Sequence, residues 1–224
     1  SGIDWGNFCQ QITPLPECEL PYQPISIPMV ASGDVVGLAF FAADGDAARE
    51  LAVATADNVS VFAGGTGVAG APLFAAPVQV MDLAAGDLDG DGDEDLAVAI
   101  ADEPGQIVTW INDGAGVLSL GATTPLLASR IEIADIDGDG RGDVVGQFDD
   151  FGQPTLGVAL SQAEGDVLGP VAVLGTGIRL YGFATGELDA GNGREVVAHF
   201  DNATWRWDGG GTIESDPDGQ YWMQ

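Results

Sequence analysis

A run of closely spaced aspartates constrains this chain more than any other feature. Residues 86–99 read GDLDGDGDEDLAVA and place aspartates at positions 1, 3, 5 and 9 of a nine-residue loop: Asp87, Asp89, Asp91 and Asp95. So many carboxylates repel one another unless a cation lies among them, and an all-oxygen ligand set favours a hard divalent ion, above all calcium. The main-chain carbonyl of Asp93 adds a ligand at position 7, and Gly92 provides the permissive backbone that a sharp turn needs at position 6.

The same spacing returns in residues 134–145, ADIDGDGRGDVV. Gly140 again occupies position 6, and the ligand candidates are the carboxylates of Asp135, Asp137, Asp139 and Asp143 with the carbonyl of Arg141. An apolar, strand-like run follows both loops directly. The sequence therefore predicts two complete metal loops, each followed by a buried strand.

Two weaker copies of the loop complete a repeat. The weaker metal candidates are Asp44, Asp46 and Glu50 in one copy and Glu187, Asp189 and Glu195 in the other. The first copy has Ala42 at position 1 and Ala47 at the turn, and the second has Gly191 at position 5. The ninth positions, residues 50, 95, 143 and 195, lie 45, 48 and 52 residues apart. A period of about 40–50 residues is typical of propeller blades.

The stretch DLDGDGDEDLAVAIADEPGQIVTWINDGAGVL resembles the FG-GAP/VCBS repeats, the family whose blades build calcium-binding β-propellers such as the integrin alpha-subunit head. The resemblance covers nearly all of the chain after about residue 30. It implies that each acidic loop joins the first two strands of a blade, that the loops at 87–95 and 135–143 hold calcium, and that the module interacts with proteins or glycans.

Other calcium loops fit the spacing less well. An EF-hand requires a glutamate at position 12 and a helix on each side, but position 12 is Val98 or Gly146, inside strand-like runs. The nonapeptide β-helix repeat recurs far more often than these loops do. A glycine- and aspartate-rich turn without an ion remains the alternative, above all for the two weaker copies.

Composition narrows the class of partner. The net charge is −29, all six basic residues are arginine, and 46% of the residues are hydrophobic, which suits a core-forming chain. So acidic a chain is a poor partner for nucleic acid. No apolar stretch reaches the roughly 20 residues that a membrane-spanning helix needs, and we expect no membrane insertion.

We predict an all-β fold, a four-bladed β-propeller over residues 21–224, preceded by an extension over residues 1–20 with a Cys9–Cys18 disulfide. Residues 21–28 read as an outermost strand that completes the last blade and closes the ring. The alternative is an incomplete ring that a second copy finishes, so the protein is either a monomer or a ring-completing oligomer. The disulfide and the calcium loops favour an extracellular or cell-surface location.

The sequence favours a non-catalytic binding or adhesion module for a protein or glycan ligand, stabilised by calcium. Trp110, Trp205 and Trp207 are candidate ligand-binding aromatics, and the alternative is that they cover the gaps between blades. The single histidine, His199, has no local partner that would make it a general base. Two other functions stay open: a calcium-dependent lectin and a lyase-like polysaccharide-processing enzyme.

Overall fold

The computed structural model describes residues 34–64, 68–75, 77–150, 153–162, 168–176, 179–188, 193–201, 204–207 and 213–216. Within these ranges the chain forms sixteen β-strands and no helix. The strands fall into four antiparallel sheets of four strands each, and each sheet consists of four strands that are consecutive in sequence. This is the arrangement of a four-bladed β-propeller, so the predicted fold class is confirmed.

The four blades follow one another along the chain. Blade 1 contains β1 Val35–Phe41, β2 Glu50–Thr55, β3 Asn58–Phe62 and β4 Ala69–Pro72. Blade 2 contains β5 Val80–Gly86, β6 Asp95–Ile100, β7 Gln106–Asn112 and β8 Leu118–Thr124. Blade 3 contains β9 Ala128–Ala134, β10 Asp143–Asp150, β11 Gln153–Ser161 and β12 Leu168–Thr176. Blade 4 contains β13 Leu180–Gly186, β14 Glu195–Phe200, β15 Thr204–Trp207 and β16 Ile213–Asp216.

The first strand of each blade lies innermost. Strand β1 contacts β5, β5 contacts β9, and β9 contacts β13, so these four strands follow one another around the centre. Two of these contacts include side chains that accept backbone hydrogen bonds. The Asp82 carboxylate of β5 accepts the N–H of Ile131 on β9 at 3.0 Å, and the Glu132 carboxylate of β9 accepts the N–H of Thr185 on β13 at 3.0 Å.

The apolar core lies between the blades. Among the described residues it forms three clusters, at the junctions of blades 1 and 2, 2 and 3, and 3 and 4. Strand β6 shows why the strands after the acidic loops are apolar on both faces. Leu96, Val98 and Ile100 face blade 1 while Ala97 and Ala99 face blade 3, and all five are fully buried.

One strand lies where the sequence predicts none. The polar stretch GTIESDPDGQ, residues 211–220, predicts a turn before a last strand at YWMQ, but residues 213–216 form β16, the fourth strand of blade 4. The segment Ile-Glu-Ser-Asp has no apolar alternation, so its place in the sheet comes from its pairing with β15. The predicted closing strand at residues 21–28, the Cys9–Cys18 disulfide and the rest of the N-terminal extension lie outside the described residues.

No helix in the described part of the chain is long and apolar enough to cross a membrane.

Candidate metal centres

The acidic loops lie at equivalent places in blades 2 and 3. The loop at 87–94 connects β5 to β6, and the loop at 135–142 connects β9 to β10. Each therefore joins the first two strands of its blade, as the resemblance implied. The ninth residue of each motif is the first residue of the second strand, so the strand itself fixes the backbone position of that carboxylate.

Each loop is folded by its own aspartates. The carboxylate at position 1 accepts two backbone N–H groups: Asp87 bonds Gly90 at 2.7 Å and Gly92 at 2.9 Å. In blade 3, Asp135 makes the matching pair of bonds at 2.7 and 3.0 Å. The position-6 glycines have φ of +97° and +90°, values that side-chain-bearing residues avoid. The two loops are thus the same local structure built twice.

Each folded loop brings three carboxylates together. The groups are Asp87, Asp89 and Asp95 in blade 2, and Asp135, Asp137 and Asp143 in blade 3, and in each group one oxygen per residue lies within 4.8 Å of the others. A donor set made only of carboxylate oxygens fits a hard cation, and it does not fit zinc, which favours nitrogen and sulfur ligands. Both clusters could therefore hold a metal ion.

The ninth carboxylate also binds the protein. Asp95 is fully buried and accepts the N–H of Leu88 at 2.7 Å and that of Asn112 at 2.8 Å. Asp143 is 1% exposed and accepts the N–H of Ile136 at 2.9 Å and that of Ser161 at 2.8 Å. These bonds tie the loop to the end of the third strand of the same blade.

Burial changes the acidity of these groups. It raises the pKa of Asp95 and of Asp143 to about 6, although the backbone N–H bonds oppose the shift. Burial also raises the pKa of Asp89, which is less enclosed. A cation among these carboxylates would favour their ionised forms and would offset this cost of desolvation.

The position-5 aspartates lie outside the two clusters. Asp91 Oδ1 accepts the N–H of Asp93 at 2.9 Å, and Asp139 makes the equivalent bond to Arg141 while its other oxygen pairs with the Arg141 guanidinium. At position 7 the proposed ligand is the carbonyl, and the Asp93 side chain instead lies against Gly114. In each loop the structure thus gathers three of the four predicted carboxylates.

The weaker loops gather no such cluster from their described residues. In blade 1, Asp44 and Asp46 keep the short turns of the complete loops, accepting the N–H groups of Asp46 and Ala48 at 3.1 and 2.6 Å. Glu50 is buried and accepts the N–H groups of Ala43 at 2.8 Å and Gly64 at 3.1 Å. Glu50 thus makes the same kind of bonds as Asp95, although its side chain is one carbon longer.

Blade 4 repeats the same use of the ninth acid. Glu195 is 3% exposed, accepts the N–H of Leu188 at 2.8 Å and lies 3.5 Å from the Arg206 guanidinium. Glu187 is exposed, and Asp189 lies outside the described residues. The bonding role of the ninth acid was not predicted, although the sequence carries its signal: an acid occupies this position in both weaker loops, where other ligand positions have changed.

The candidate aromatics divide between two junctions. Trp110 packs against the cluster between blades 1 and 2 and meets Phe74 edge-on, with ring centroids 5.7 Å apart. Trp207 packs against the cluster between blades 3 and 4. The side chain of Trp205 lies outside the described part of the structure, although its backbone pairs with Ala198 in β14.

A cavity of about 610 Å³ lies between blades 1 and 2. Its walls are apolar and aromatic, Asp44 and Glu50 add carboxylates, and its lining includes Phe41, Val61, Leu73, Trp110, Val117 and Leu118. The Trp110 Nε1–H is buried, and it has no hydrogen-bond acceptor among the residues that the structure describes. A buried donor without an acceptor costs about 1–3 kcal/mol, which a ligand oxygen in reach of this N–H would recover.

Comparison with known proteins agrees with this architecture. Residues 88–146 match the family model described as the FG-GAP-like repeat, a span that runs from the blade 2 metal loop through the blade 3 metal loop into β10. No curated protein matches the chain. With its four sheets and this match, the chain is a four-bladed β-propeller that carries FG-GAP-like repeat sequence.

Proposed function

We propose that this protein is a calcium-stabilised β-propeller that acts outside the cell as a non-catalytic binding module for a protein or glycan partner. The observation that carries the proposal is the pair of matching carboxylate clusters in neighbouring blades. A β-propeller with FG-GAP-like repeats supports a binding or adhesion module in general.

Calcium is the cation that best suits these loops. It takes 6–8 oxygen ligands in flexible geometry, whereas magnesium demands a near-ideal octahedron and keeps several waters. Three clustered carboxylates, a fourth aspartate at position 5 and a carbonyl at position 7 offer calcium a set of that size once waters are added. FG-GAP repeats also commonly bind calcium, which supports the same choice.

A bound calcium ion would raise the unfolding free energy of the protein. A ligand that binds only the folded state stabilises it by mass action, by about 2.7 kcal/mol per site at a hundred times the dissociation constant. Because each loop leads directly into a second strand whose first residues are buried, an ordered loop fixes the start of that strand. Calcium is abundant outside cells, where weak sites of this kind fill, and this supports an extracellular location.

Partner binding would use the gap between blades 1 and 2. The cavity there has a size typical of ligand pockets, an apolar and aromatic lining and two carboxylates. Such a surface suits an apolar or sugar-ring group that also carries hydrogen-bonding atoms. The non-catalytic role is consistent with His199, which lies on an exposed face, 3.1 Å from Thr204 Oγ1 and stacked on Tyr181.

A thermal melt tests the metal role. The protein is heated in EDTA, in magnesium and in millimolar calcium, and we expect a rise in melting temperature that calcium produces and magnesium does not. Asp89→Asn and Asp137→Asn should each remove part of the rise. Asp34→Asn, which removes an exposed carboxylate from outside the loops, is the matched control and should keep all of it. Equal melting temperatures in all three solutions would contradict the proposal.

A binding screen tests the partner. Calcium-loaded protein and EDTA-treated protein are applied to a glycan array and to a panel of extracellular proteins. A specific ligand should bind the calcium-loaded form, and Trp110→Phe should weaken that binding, because phenylalanine keeps an aromatic ring and lacks the indole N–H. If binding is unchanged by Trp110→Phe, the ligand lies elsewhere on the propeller.

A further inference from the structure

We propose that the metal loops of blades 2 and 3 bind calcium with positive cooperativity, and that Gly142 is the positioning residue that couples them. The inference rests on the proposed function, since it concerns the same two loops. It adds a mechanical connection between the sites, which neither the repeat match nor either carboxylate cluster implies alone.

The connection is a main-chain hydrogen bond between the loops. The N–H of Gly142, at position 8 of the blade 3 loop, donates to the carbonyl oxygen of Asp87, at position 1 of the blade 2 loop, at 2.5 Å. Asp87 supplies a carboxylate to one cluster, and Gly142 immediately precedes Asp143, which supplies a carboxylate to the other. The two ends of this bond therefore belong to residues at or next to a ligand in each site.

The loops also approach each other closely at this contact. A Cβ on Gly142 would lie 2.8 Å from the Asp87 carbonyl oxygen of the other loop, and 2.5 Å from Ile133 Cγ2 of its own blade. A Cβ on Gly90 would lie 3.0 Å from Arg141 Cγ and 3.4 Å from the Gly140 oxygen. At this packing density, a shift of one loop displaces the other.

On the blade 3 side, the connecting glycine and the ninth carboxylate bond the same residue, Ser161. Ser161 Oγ donates to the Gly142 carbonyl at 2.5 Å, and the Ser161 N–H donates to Asp143 at 2.8 Å. The end of β11 thus anchors both the connecting glycine and the ninth carboxylate. A calcium ion that orders Asp143 would also order Gly142, and through it the backbone of Asp87.

The sign of the coupling follows from entropy. Binding the first ion pays the cost of ordering both loops, so the second ion binds a loop that is already ordered. Repulsion between the two cations opposes this effect, but at least four aspartates per loop offset the ionic charge and salt screens what remains. By linkage, each site must raise the affinity of the other by the same factor.

The connection recurs at the next junction, which shows that it belongs to the repeat. The N–H of Arg194, at position 8 of the blade 4 loop, donates to the carbonyl of Asp135, at position 1 of the blade 3 loop, at 2.7 Å. Between blades 1 and 2 the contact is made differently: the Glu94 carboxylate accepts the N–H of Ala42 at 2.8 Å. Only the junction of blades 2 and 3 joins two complete metal loops.

Calcium titration by calorimetry tests the coupling on the whole chain. One variant empties the blade 2 site (Asp89→Asn with Asp91→Asn), and another empties the blade 3 site (Asp137→Asn with Asp139→Asn). In each, we expect the remaining site to bind calcium at least about fivefold more weakly than in the wild type, by the same factor in both directions. Titrations in high salt separate this effect from the simple loss of negative charge, which salt screens.

The Gly142→Ala variant then tests whether the coupling between the two sites depends on this residue. We expect the variant to bind two ions independently, with an isotherm equal to the sum of those of the two single-site variants. Cooperativity that survives Gly142→Ala unchanged would overturn the role of this residue. A wild-type isotherm equal to that same sum would overturn the coupling even if Gly142→Ala did not fold. Wild-type protein that binds no calcium would overturn the proposed function and the coupling together.

Discussion

The carboxylate of Asp95 accepts a 2.8 Å hydrogen bond from the backbone N–H of Asn112, seventeen residues further along the chain. The same carboxylate accepts the N–H of Leu88, and it is fully buried. One side chain therefore joins the metal loop, the second strand and the third strand of blade 2. Glutamates at the equivalent positions in blades 1 and 4 make related bonds without a gathered carboxylate cluster among the described residues. The ninth acid is thus a structural element of every blade as well as a candidate ligand in two.

This dual role predicts a calcium-independent effect of Asp95→Ala. The substitution leaves the buried N–H groups of Leu88 and Asn112 unpaired, at a cost of about 1–3 kcal/mol each. Urea denaturation in EDTA should therefore show a loss of about 2–6 kcal/mol. Asp89→Ala is the matched control, because it removes another carboxylate of the same cluster that is less buried, and in EDTA it should cost little. Equal losses for the two variants would contradict the structural role of the ninth acid.

The packing of the inner strands predicts that one of two equivalent glycines tolerates replacement by alanine and the other does not. Gly86 and Gly186 each end the first strand of a blade, but a Cβ on Gly86 would lie 2.5 Å from Ile133 Cγ2, while a Cβ on Gly186 would meet no atom of the described residues within 4 Å. Gly86→Ala should lower the unfolding free energy by about 1–3 kcal/mol, and Gly186→Ala should leave it nearly unchanged. Chemical denaturation of both variants checks the prediction, and comparable losses at the two sites would count against the close approach of β5 and β9.

The raised pKa of Asp82 predicts a pH dependence at the centre of the propeller. Burial raises the pKa of this carboxyl above its ordinary 3.8, so the folded state holds the proton more tightly than the unfolded state does. Protonation of Asp82 therefore stabilises the folded state. This contribution to the unfolding free energy is fully present below about pH 3.8 and is lost as the pH rises through the raised pKa. Asp82→Asn cannot titrate and provides the reference. The unfolding free energy of the wild type relative to this variant should fall as the pH rises from about 4, and a difference that stays flat would contradict the shift.

The blade 1 loop is predicted to take no part in calcium binding. Ala42 provides no carboxylate at position 1, and Asp44, Asp46 and Glu50 do not gather into a cluster. Replacing Asp44 and Asp46 together by asparagine should leave the calcium-induced rise in melting temperature unchanged. The pair Asp137→Asn and Asp139→Asn removes the same number of charges from the blade 3 loop and should reduce the rise. A smaller rise in the blade 1 variant would mean that its loop also binds the ion.

Much of the fold was predictable because its signals are local. The 45-, 48- and 52-residue steps gave the number of blades, and the runs of apolar residues after each loop gave the second strands. Strand β16 was missed for the converse reason: Ile213–Asp216 has a polar, unpatterned sequence, and its backbone pairing with β15 determines its structure. Trp110 and Trp207 could be read from the sequence as ligand-binding or as packing residues, and only the positions of the neighbouring blades show that both pack against inter-blade clusters.

The sequence by itself determined the shape of each acidic loop. A turn in which an aspartate accepts the N–H of a residue two to five positions later, with glycine at positive φ, depends only on residues within the loop, and the spacing of those residues is visible in the sequence. The tertiary structure alone decided which carboxylates converge, which of them the core buries, and that Gly142 of one loop bonds Asp87 of another. These relationships join residues from different strands and blades, and they exist only once the inter-blade apolar clusters have set the distance between the sheets.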